Sequence, residues 1–338
     1  MILALGTWLL TACEQLPGAA TGRSDFTPDM RQATEVSSPR PEIAPATPTP
    51  TAIPALTGLT VHPLVDKGPA IIFQSFRNGE DAIYRMRDDG VGQVRLLNGM
   101  DPAASADGRW LAFSQITDGR DTIFLAGGTP SRTTMLTTGI SPAWSPDGKR
   151  LAFSDARQDN QDIFVINQDG SGEQQLTHNP EDELNPAWSP DGQHVAFERG
   201  GKIVIVGLDG ADRAVLSQGN AKDSTPAWSP DGQGIAFSSR PVDTNQNGRI
   251  DGGDNSQLTL MSITGTNRIP LTSLQPASGQ SAWAQEPAWS PDGARLAFES
   301  NQSGQWDIWV INRDGSNPKN LTNEVKASVN LHPGWYKN

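Results

Sequence analysis

The hydrophobic positions of this chain return in short strands at a nearly constant interval. Each of six such strands carries a phenylalanine, and consecutive phenylalanines are 40, 40, 44, 40 and 61 residues apart. These residues are Phe73, Phe113, Phe153, Phe197, Phe237 and Phe298. A period near forty residues with several short strands per repeat is typical of a β-propeller blade. The pattern therefore predicts an all-β protein, a six-bladed β-propeller.

One repeat, residues 141–177, shows how a blade is built. Its four strands are predicted at 142–145, 150–154, 162–166 and 175–177. The Asp-Gly pair at 169–170 suits a hairpin turn, because Asp followed by Gly tolerates the positive φ that such turns need. The Trp and Asp-Gly residues recur in most repeats, whereas a binding site usually breaks the symmetry of a repeat protein. We therefore interpret them as structural.

The two ends of the repeat region complement each other. The first unit, residues 69–98, lacks an opening strand, and the chain ends in an opening strand at 329–336 with nothing after it. The simplest arrangement pairs the C-terminal strand with the first blade, which closes the ring and leaves no free sheet edge. An open spiral is the alternative, and it would leave Trp335 without a partner.

The repeat resembles that of the TolB-type propellers. The resemblance rests on Trp-Ser-Pro-Asp-Gly, a Leu-Ala-Phe strand, an Asp-Ile-Phe-Val strand and a final Leu-Thr, and it covers residues 69–338. TolB itself carries a separate α/β domain before its propeller and is a soluble periplasmic protein of the Tol-Pal system. In this chain a predicted lipobox and tether, described below, precede the propeller. The resemblance therefore implies the propeller fold, and a role in that system is not assumed.

The N-terminal residues predict a membrane anchor. Residues 1–12 form a short apolar signal peptide that ends in Leu-Thr-Ala before Cys13, the chain's single cysteine, and this resembles a bacterial lipobox. No Lys or Arg precedes the apolar stretch, unlike an ordinary signal peptide. The alternative is a plain cleavage site with an incidental cysteine. A lipid on Cys13 would make the protein a membrane-anchored, extracytoplasmic lipoprotein of a bacterial cell envelope.

Residues 14–66 predict a disordered tether. They are rich in Pro and Thr and poor in aromatic residues, so they cannot bury enough apolar area to offset the entropy of ordering. A glycosylated Thr-rich stalk is the alternative. The formal net charge of −12 argues against nucleic acid and against electrostatic docking to anionic lipid. We expect membrane contact through the lipid anchor only.

The fifth repeat carries an insertion with the spacing of a twelve-residue calcium loop. Oxygen ligands would come from positions 1, 3, 5, 7, 9 and 12, with Gly248 at the sharp bend. These ligands are Asp243, Asn245, Asn247, the carbonyl of Arg249, Asp251 and Asp254. Asp in place of Glu at position 12 resembles the dockerin version of the loop. We predict a structural Ca²⁺ site, with a metal-free polar hairpin as the alternative.

Strand alternation places the links between blades and the variable loops on one face. Variable loops on a rigid scaffold are where recognition usually lies, and exposed Trp and carboxylates would suit a basic partner. The candidates on this face are Asp182, Glu183, Asp223, Trp283, Glu286 and Trp306. The alternative for each is a solvated acid or a Trp packed on its own blade.

No catalytic motif accompanies these candidates. The four histidines do not cluster in sequence, and neither a Gly-x-Ser-x-Gly elbow nor a phosphate-binding glycine loop is present. The first hypothesis is therefore a non-catalytic module that binds a protein or cell-envelope ligand. The alternative is a glycan-processing enzyme, a lyase or hydrolase. It would use acids that meet at the channel mouth, and Glu183, Asp223, Glu286 and His332 are the candidates.

Overall fold

The computed structural model describes residues 68–127, 132–157, 160–251, 253–273, 282–325 and 328–337, which all lie in one unit of the chain. These residues form strands and turns, and none of the described segments is a helix long and apolar enough to cross a membrane. The predicted signal peptide, Cys13 and the predicted tether lie outside the described residues.

The described strands form six four-stranded antiparallel sheets. Blade 1 consists of β1 (Pro69–Arg77), β2 (Glu80–Arg87), β3 (Val94–Asn98) and β24 (Val329–Lys337). Blade 2 consists of β4 (Met100–Ala104), β5 (Trp110–Thr117), β6 (Arg120–Gly127) and β7 (Arg132–Thr138). Blade 3 consists of β8 (Ile140–Trp144), β9 (Arg150–Asp155), β10 (Asp162–Asn167) and β11 (Gln174–Gln175).

The second half of the ring repeats this order. Blade 4 consists of β12 (Glu183–Trp188), β13 (His194–Arg199), β14 (Lys202–Gly207) and β15 (Asp212–Val215). Blade 5 consists of β16 (Lys222–Trp228), β17 (Gly234–Arg240), β18 (Gln257–Ser262) and β19 (Ile269–Pro270). Blade 6 consists of β20 (Ala284–Trp289), β21 (Arg295–Ser300), β22 (Asp307–Asn312) and β23 (Lys319–Asn320).

The C-terminal strand closes the ring as the sequence predicts. Strand β24 pairs antiparallel with β1, and Trp335 lies opposite Ile71. Blade 1 therefore takes its innermost strand from the far end of the chain, and the predicted six-bladed propeller is confirmed.

The core lies between the blades, where the repeated residues occupy equivalent buried positions. All six repeat phenylalanines are buried, with at most 2 % of their surface exposed. Two of the repeated tryptophans bridge neighbouring blades: Trp188 Nε1 donates to the Ala143 carbonyl at 3.1 Å, and Trp289 Nε1 donates to the Ala227 carbonyl at 3.1 Å. These two indoles thus pack and hydrogen-bond across an interface that apolar burial alone would leave free to slide.

The repeated Ser-Pro-Asp-Gly turn is built from its own side chains. Asp147 Oδ1 accepts from the Ser145 hydroxyl at 2.7 Å and from the Lys149 amide at 3.1 Å, and Gly148 has a φ of 68°. These hydrogen bonds favour the carboxylate and lower the pKa of Asp147. The turn residues are therefore occupied in holding the first two strands together in blades 2 to 6.

Candidate functional site: the channel ring

The innermost strand of every blade contains the same irregularity. Its register against the second strand shifts by a bulge, for example between Leu184 and Ala187 in blade 4. In each bulge a non-glycine residue followed by proline adopts a positive φ, between 47° and 55°. These six residues are Asp101, Ser141, Asn185, Thr225, Glu286 and His332. A left-handed non-glycine residue costs about 1–3 kcal/mol, so the fold maintains this arrangement six times against its local preference.

The six residues form a ring around the propeller axis, which we call the channel ring. Neighbouring members meet across blades: His332 Nδ1 is 3.5 Å from Asp101 Oδ1, and Ser141 Oγ is 3.3 Å from Asn185 Oδ1. Glu286 interacts electrostatically with Asp101 two blades away in one direction and with Glu198 two blades away in the other. Charges from both sides of the axis therefore act on the same carboxyl.

A second layer of polar residues supports the ring from behind. It comes from the second strand of each blade, one residue after the repeat phenylalanine. Glu299 Oε2 accepts from the backbone amide of His332 at 2.8 Å, and Gln74 Oε1 accepts from the backbone amide of Asp101 at 3.2 Å. Each acceptor reaches the ring residue of the next blade. The bulges of blades 1 and 2 are thus fixed by their neighbours, which is how a strained backbone is retained.

The ring divides into a charged arc and a neutral arc. Glu286, His332 and Asp101 come from consecutive blades 6, 1 and 2 and form the charged arc. The neutral arc consists of Ser141, Asn185 and Thr225 from blades 3, 4 and 5. The channel can therefore present ionic contacts on one side and hydroxyl and amide contacts on the other.

The charged arc shifts the pKa of its own members. Burial alone would lower the pKa of His332, but Asp101, Glu286 and Glu299 raise it to about 9, so the imidazole is cationic at neutral pH. Burial raises the pKa of Glu286 to about 7, with the nearby carboxylates adding to this and His332 opposing it. Glu286 therefore exchanges its proton near neutral pH, which is the behaviour of a group poised for binding or for acid–base chemistry.

Two of the predicted partner residues lie away from the surface. The carboxylate of Glu183 is fully buried and pairs with Arg199 at 3.2 Å, and burial raises its pKa to about 7. Asp223 is also fully buried and accepts two hydrogen bonds from Arg268, at 2.8 and 2.9 Å. The expectation that these acids line the channel mouth is not met, because each faces an arginine of its own blade.

The other predicted partner residues lie in three different settings. Asp182 is exposed and accepts from the Gln161 amide at 2.9 Å. Trp283 and Trp306 stack with their ring centres 5.6 Å apart, and both are half-buried. Glu286 alone belongs to the channel ring. Three acids and one histidine were the candidates for catalysis. Of these four residues, the structure brings together only Glu286 and His332.

The predicted calcium loop is closed by its own carboxylates. Asp254 Oδ1 accepts from the amides of Thr244 and Asn245 at 2.7 and 3.1 Å, and Asp243 Oδ2 accepts from the Gly248 amide at 2.7 Å. Trp283 Nε1 donates to the Asp254 carbonyl at 2.9 Å and so joins the loop to blade 6. Within the described residues, no three His, Cys, Asp or Glu side chains are grouped to hold a metal ion. Any ion here would need the amide and carbonyl oxygens as well.

Comparison with known proteins agrees with this architecture. The family profile described as the TolB beta propeller domain matches residues 89–273. The chain belongs to this TolB propeller family. It is 36% identical over 47 residues to the Tol-Pal system protein TolB of Anaeromyxobacter dehalogenans, a match that spans 14% of this chain and 10% of that protein. The chain thus matches only a tenth of the length of this curated relative.

Solved structures share the fold of this TolB-type propeller at low sequence identity. TolB from Acinetobacter baumannii superposes with a TM-score of 0.66 at 19% identity, covering 79% of this chain and 67% of that one. The periplasmic gluconolactonase PpgL of Pseudomonas aeruginosa superposes with a TM-score of 0.50 at 14% identity, covering 75% of this chain and 82% of that one. Identities this low show the fold alone, and one of the two proteins is named as an enzyme.

Sequence reasoning missed several residues of the site in this TolB-type propeller. Asp101 belongs to the ring, and Glu198 and Glu299 belong to the supporting layer. One signal was readable: every ring residue directly precedes the proline of the repeat, as in Asp-Pro-Ala-Ala and His-Pro-Gly-Trp. That position changes from blade to blade while the proline after it stays, which marks it as the variable position of an otherwise regular motif.

Proposed function

We propose that the protein is a membrane-tethered binding module outside the cytoplasm, which uses its propeller to recognise a protein or a cell-envelope ligand without catalysing a reaction. The observation that carries the proposal is the channel ring, six polar side chains that differ between blades and are held on a rigid, closed scaffold. Membership of the TolB propeller family supports it, as does the name of the relative from the Tol-Pal system.

The tether belongs to the same proposal. A lipid on Cys13 would anchor the chain, and residues 14–66 would hold the propeller at a distance from the bilayer. The formal net charge of −12 and the carboxyl groups of the charged arc favour a basic ligand group. The exposed carboxylates of the loops, Asp182 among them, would add long-range attraction rather than affinity.

In-cell crosslinking of the full chain tests this function. We expect a crosslinked partner to be captured by the natural chain and to be lost, or reduced at least about tenfold, in the double variant Asp101→Asn with Glu286→Gln. The matched control is Asp118→Asn with Glu324→Gln, which removes two carboxylates at exposed positions. Cys13→Ala should move the protein out of the membrane fraction. Equal capture by the ring variant and the control would contradict the assignment of the ring.

We also propose that the loop at 243–254 binds a structural Ca²⁺ ion. The oxygen side chains at alternate positions and the glycine at the bend suit a hard cation that takes six to eight oxygen ligands. The ion would replace the amide contacts that Asp243 and Asp254 now make. Because Trp283 ties this loop to blade 6, binding would fix the loop and stabilise the folded state by mass action.

Thermal unfolding with and without calcium tests the loop. At a calcium concentration about 100 times Kd, we expect about 2.7 kcal/mol of added stability, which is about 5 °C in Tm for a domain of this size. The variant Asp243→Ala should lose this shift. Asp314→Ala, in an exposed hairpin turn of blade 6, should keep it. A shift that survives in Asp243→Ala would place the ion elsewhere, and no shift in the natural chain would remove the proposal.

A second candidate function is glycan processing in the channel. One specific observation favours it, namely that the charged arc sets a carboxyl with a pKa of about 7 beside an imidazole with a pKa of about 9. Pairs of groups with pKa values shifted in this way are common in active sites. Release of reducing ends from cell-wall glycans, lost in Glu286→Gln, would favour the enzyme over the binding module.

A further inference from the structure

Among the residues that the structure describes, carboxyl groups outnumber cations around the channel ring. Four of them act on one another there, and they come from blades 2, 4 and 6: Asp101, Glu198, Glu286 and Glu299. The facing cations are His332, between Asp101 and Glu286, and Arg240, beside Glu198. Buried charge is costly unless it is paired, so this excess calls for a positive group.

One of these carboxyls is left without a direct partner. Glu299 uses both oxygens, since Oε1 accepts from Gln285 Nε2 at 2.8 Å and Oε2 accepts from the His332 amide. Asp101 lies 3.5 Å from the His332 imidazole. Glu286 makes neither a hydrogen bond nor an ion pair within 4.0 Å with any residue that the structure describes. It is the carboxyl that remains available to a ligand.

The neutral side of the channel offers a second, independent observation. In blades 2 and 3 the supporting layer has Ser114 and Ser154 where blades 1 and 6 have Gln74 and Glu299. The longer side chains reach the ring residue of the next blade, whereas the two serine hydroxyls are completely buried and have no hydrogen-bond partner. Buried polar groups are nearly always satisfied in native proteins. The position therefore points to a polar group that enters from the channel.

We propose that the channel ring binds the guanidinium group of an arginine side chain, presented by a protein partner. The inference rests on the proposed binding function and names the chemistry of the bound group. The acids of the ring lie on one arc and its neutral oxygens lie on the other. A cation wide enough to contact both arcs therefore suits the ring. A guanidinium is planar and carries five donors that point in different directions.

This geometry matches the division of the ring into two arcs. One edge of the guanidinium would donate to the free carboxylate of Glu286. Asp101, which lies on the far side of the His332 cation, would add attraction at longer range. The opposite edge would donate to Ser141 and Asn185 on the neutral arc. An ammonium group has the charge but not the fixed fork that could engage both arcs at once. The ring should therefore prefer arginine to lysine.

Calorimetric titration of the full chain with small peptides tests the proposal. The probe is acetyl-Gly-Arg-Gly-amide, and the matched controls are the citrulline and lysine versions. We expect the arginine peptide to bind at least about tenfold more tightly than the citrulline peptide, which has the same shape without the charge. Glu286→Gln and, separately, Asp101→Asn should weaken binding at least about tenfold, and Glu324→Gln should not. Each variant's thermal unfolding would be compared with that of the natural chain.

The pH dependence gives a readout that a merely structural role would not move. Glu286 faces His332, Glu299 and Asp101 as well as Glu198 across the channel. It must lose its proton to accept the cation, so affinity should rise by about tenfold from pH 6 to pH 8 if its pKa is about 7. In Glu286→Gln this rise should become smaller, and what remains should follow Glu198, because burial raises the pKa of that carboxyl to about 7 as well.

The outcomes separate this inference from the function on which it rests. Equal affinity for the arginine and citrulline peptides, or unchanged affinity in Glu286→Gln, would overturn the guanidinium site. If the ring variant still loses its partner in cells while the arginine peptide does not bind, the binding function stands and the guanidinium assignment fails. If the peptide binds as expected, the inference is supported even where crosslinking captures no partner.

Discussion

Deletion of the C-terminal strand should unfold the whole propeller rather than trim it. Strand β24 supplies the innermost strand of blade 1, and Tyr336, which pairs opposite Ala70, is only 1% exposed. Without the strand, Ile71 and Ile72 of β1 would face solvent along an unpaired edge. Removal of one large buried aromatic side chain alone costs about 3–5 kcal/mol of stability, and the whole free energy of unfolding of a typical domain is about 5–15 kcal/mol.

Truncation of the chain after residue 327 tests this expectation. Thermal unfolding and size-exclusion chromatography should show loss of the cooperative transition and concentration-dependent aggregation, because an open edge recruits other chains. A synthetic peptide of residues 328–338, added in trans, should restore the transition at least in part. If the truncated chain unfolds cooperatively within about 1 kcal/mol of the full chain, the ring does not depend on its closing strand.

The architecture was predictable because repetition carries it. Each blade repeats the buried phenylalanine and the turn, so an error in one repeat is corrected by the others. The closing strand was predictable as well, because Trp335 is half of a motif whose other half begins at Pro69. Local signals at a fixed period thus determined the fold class, the blade number and the pairing of the two ends, all of which are confirmed.

The site was harder to predict because it forms between repeats. A bulge with positive φ turns one residue per blade towards the axis, and nothing in a period-two strand pattern shows that Asp101 and His332 will meet. The supporting acids follow buried phenylalanines and look like ordinary strand residues. Sequence position also misled in the opposite direction. The sequence analysis placed Asp223 in a link between blades, but Asp223 lies in β16 and its partner Arg268 is 45 residues further on.

Substitution of Arg268 should destabilise the propeller strongly, because it would leave Asp223 as an unpaired buried charge. Both oxygens of the fully buried Asp223 accept from Arg268, and Ser239 donates to Oδ1 at 2.7 Å. The Arg268 guanidinium also lies 4.8 Å from the centre of the Phe237 ring. Breaking a buried pair on one side costs about 3–5 kcal/mol. Arg268→Ala should therefore show this loss in denaturant unfolding, and adding Asp223→Asn should recover part of it.

An exposed ion pair in blade 4 serves as the comparison for Arg268→Ala. Arg213 and Asp209 are 2.7 Å apart, but both side chains are more than 40% exposed, at 41% and 59%. Exposed ion pairs contribute about 0–1 kcal/mol, so Arg213→Ala should cost less than about 1 kcal/mol. Similar losses in the two variants would mean that Asp223 is not held by Arg268, and its carboxylate would again be available to a partner. A large loss in Arg268→Ala alone would instead identify Asp223 as part of the scaffold. Water stabilises the charges of the exposed Arg213–Asp209 pair, but it cannot reach the buried carboxylate of Asp223.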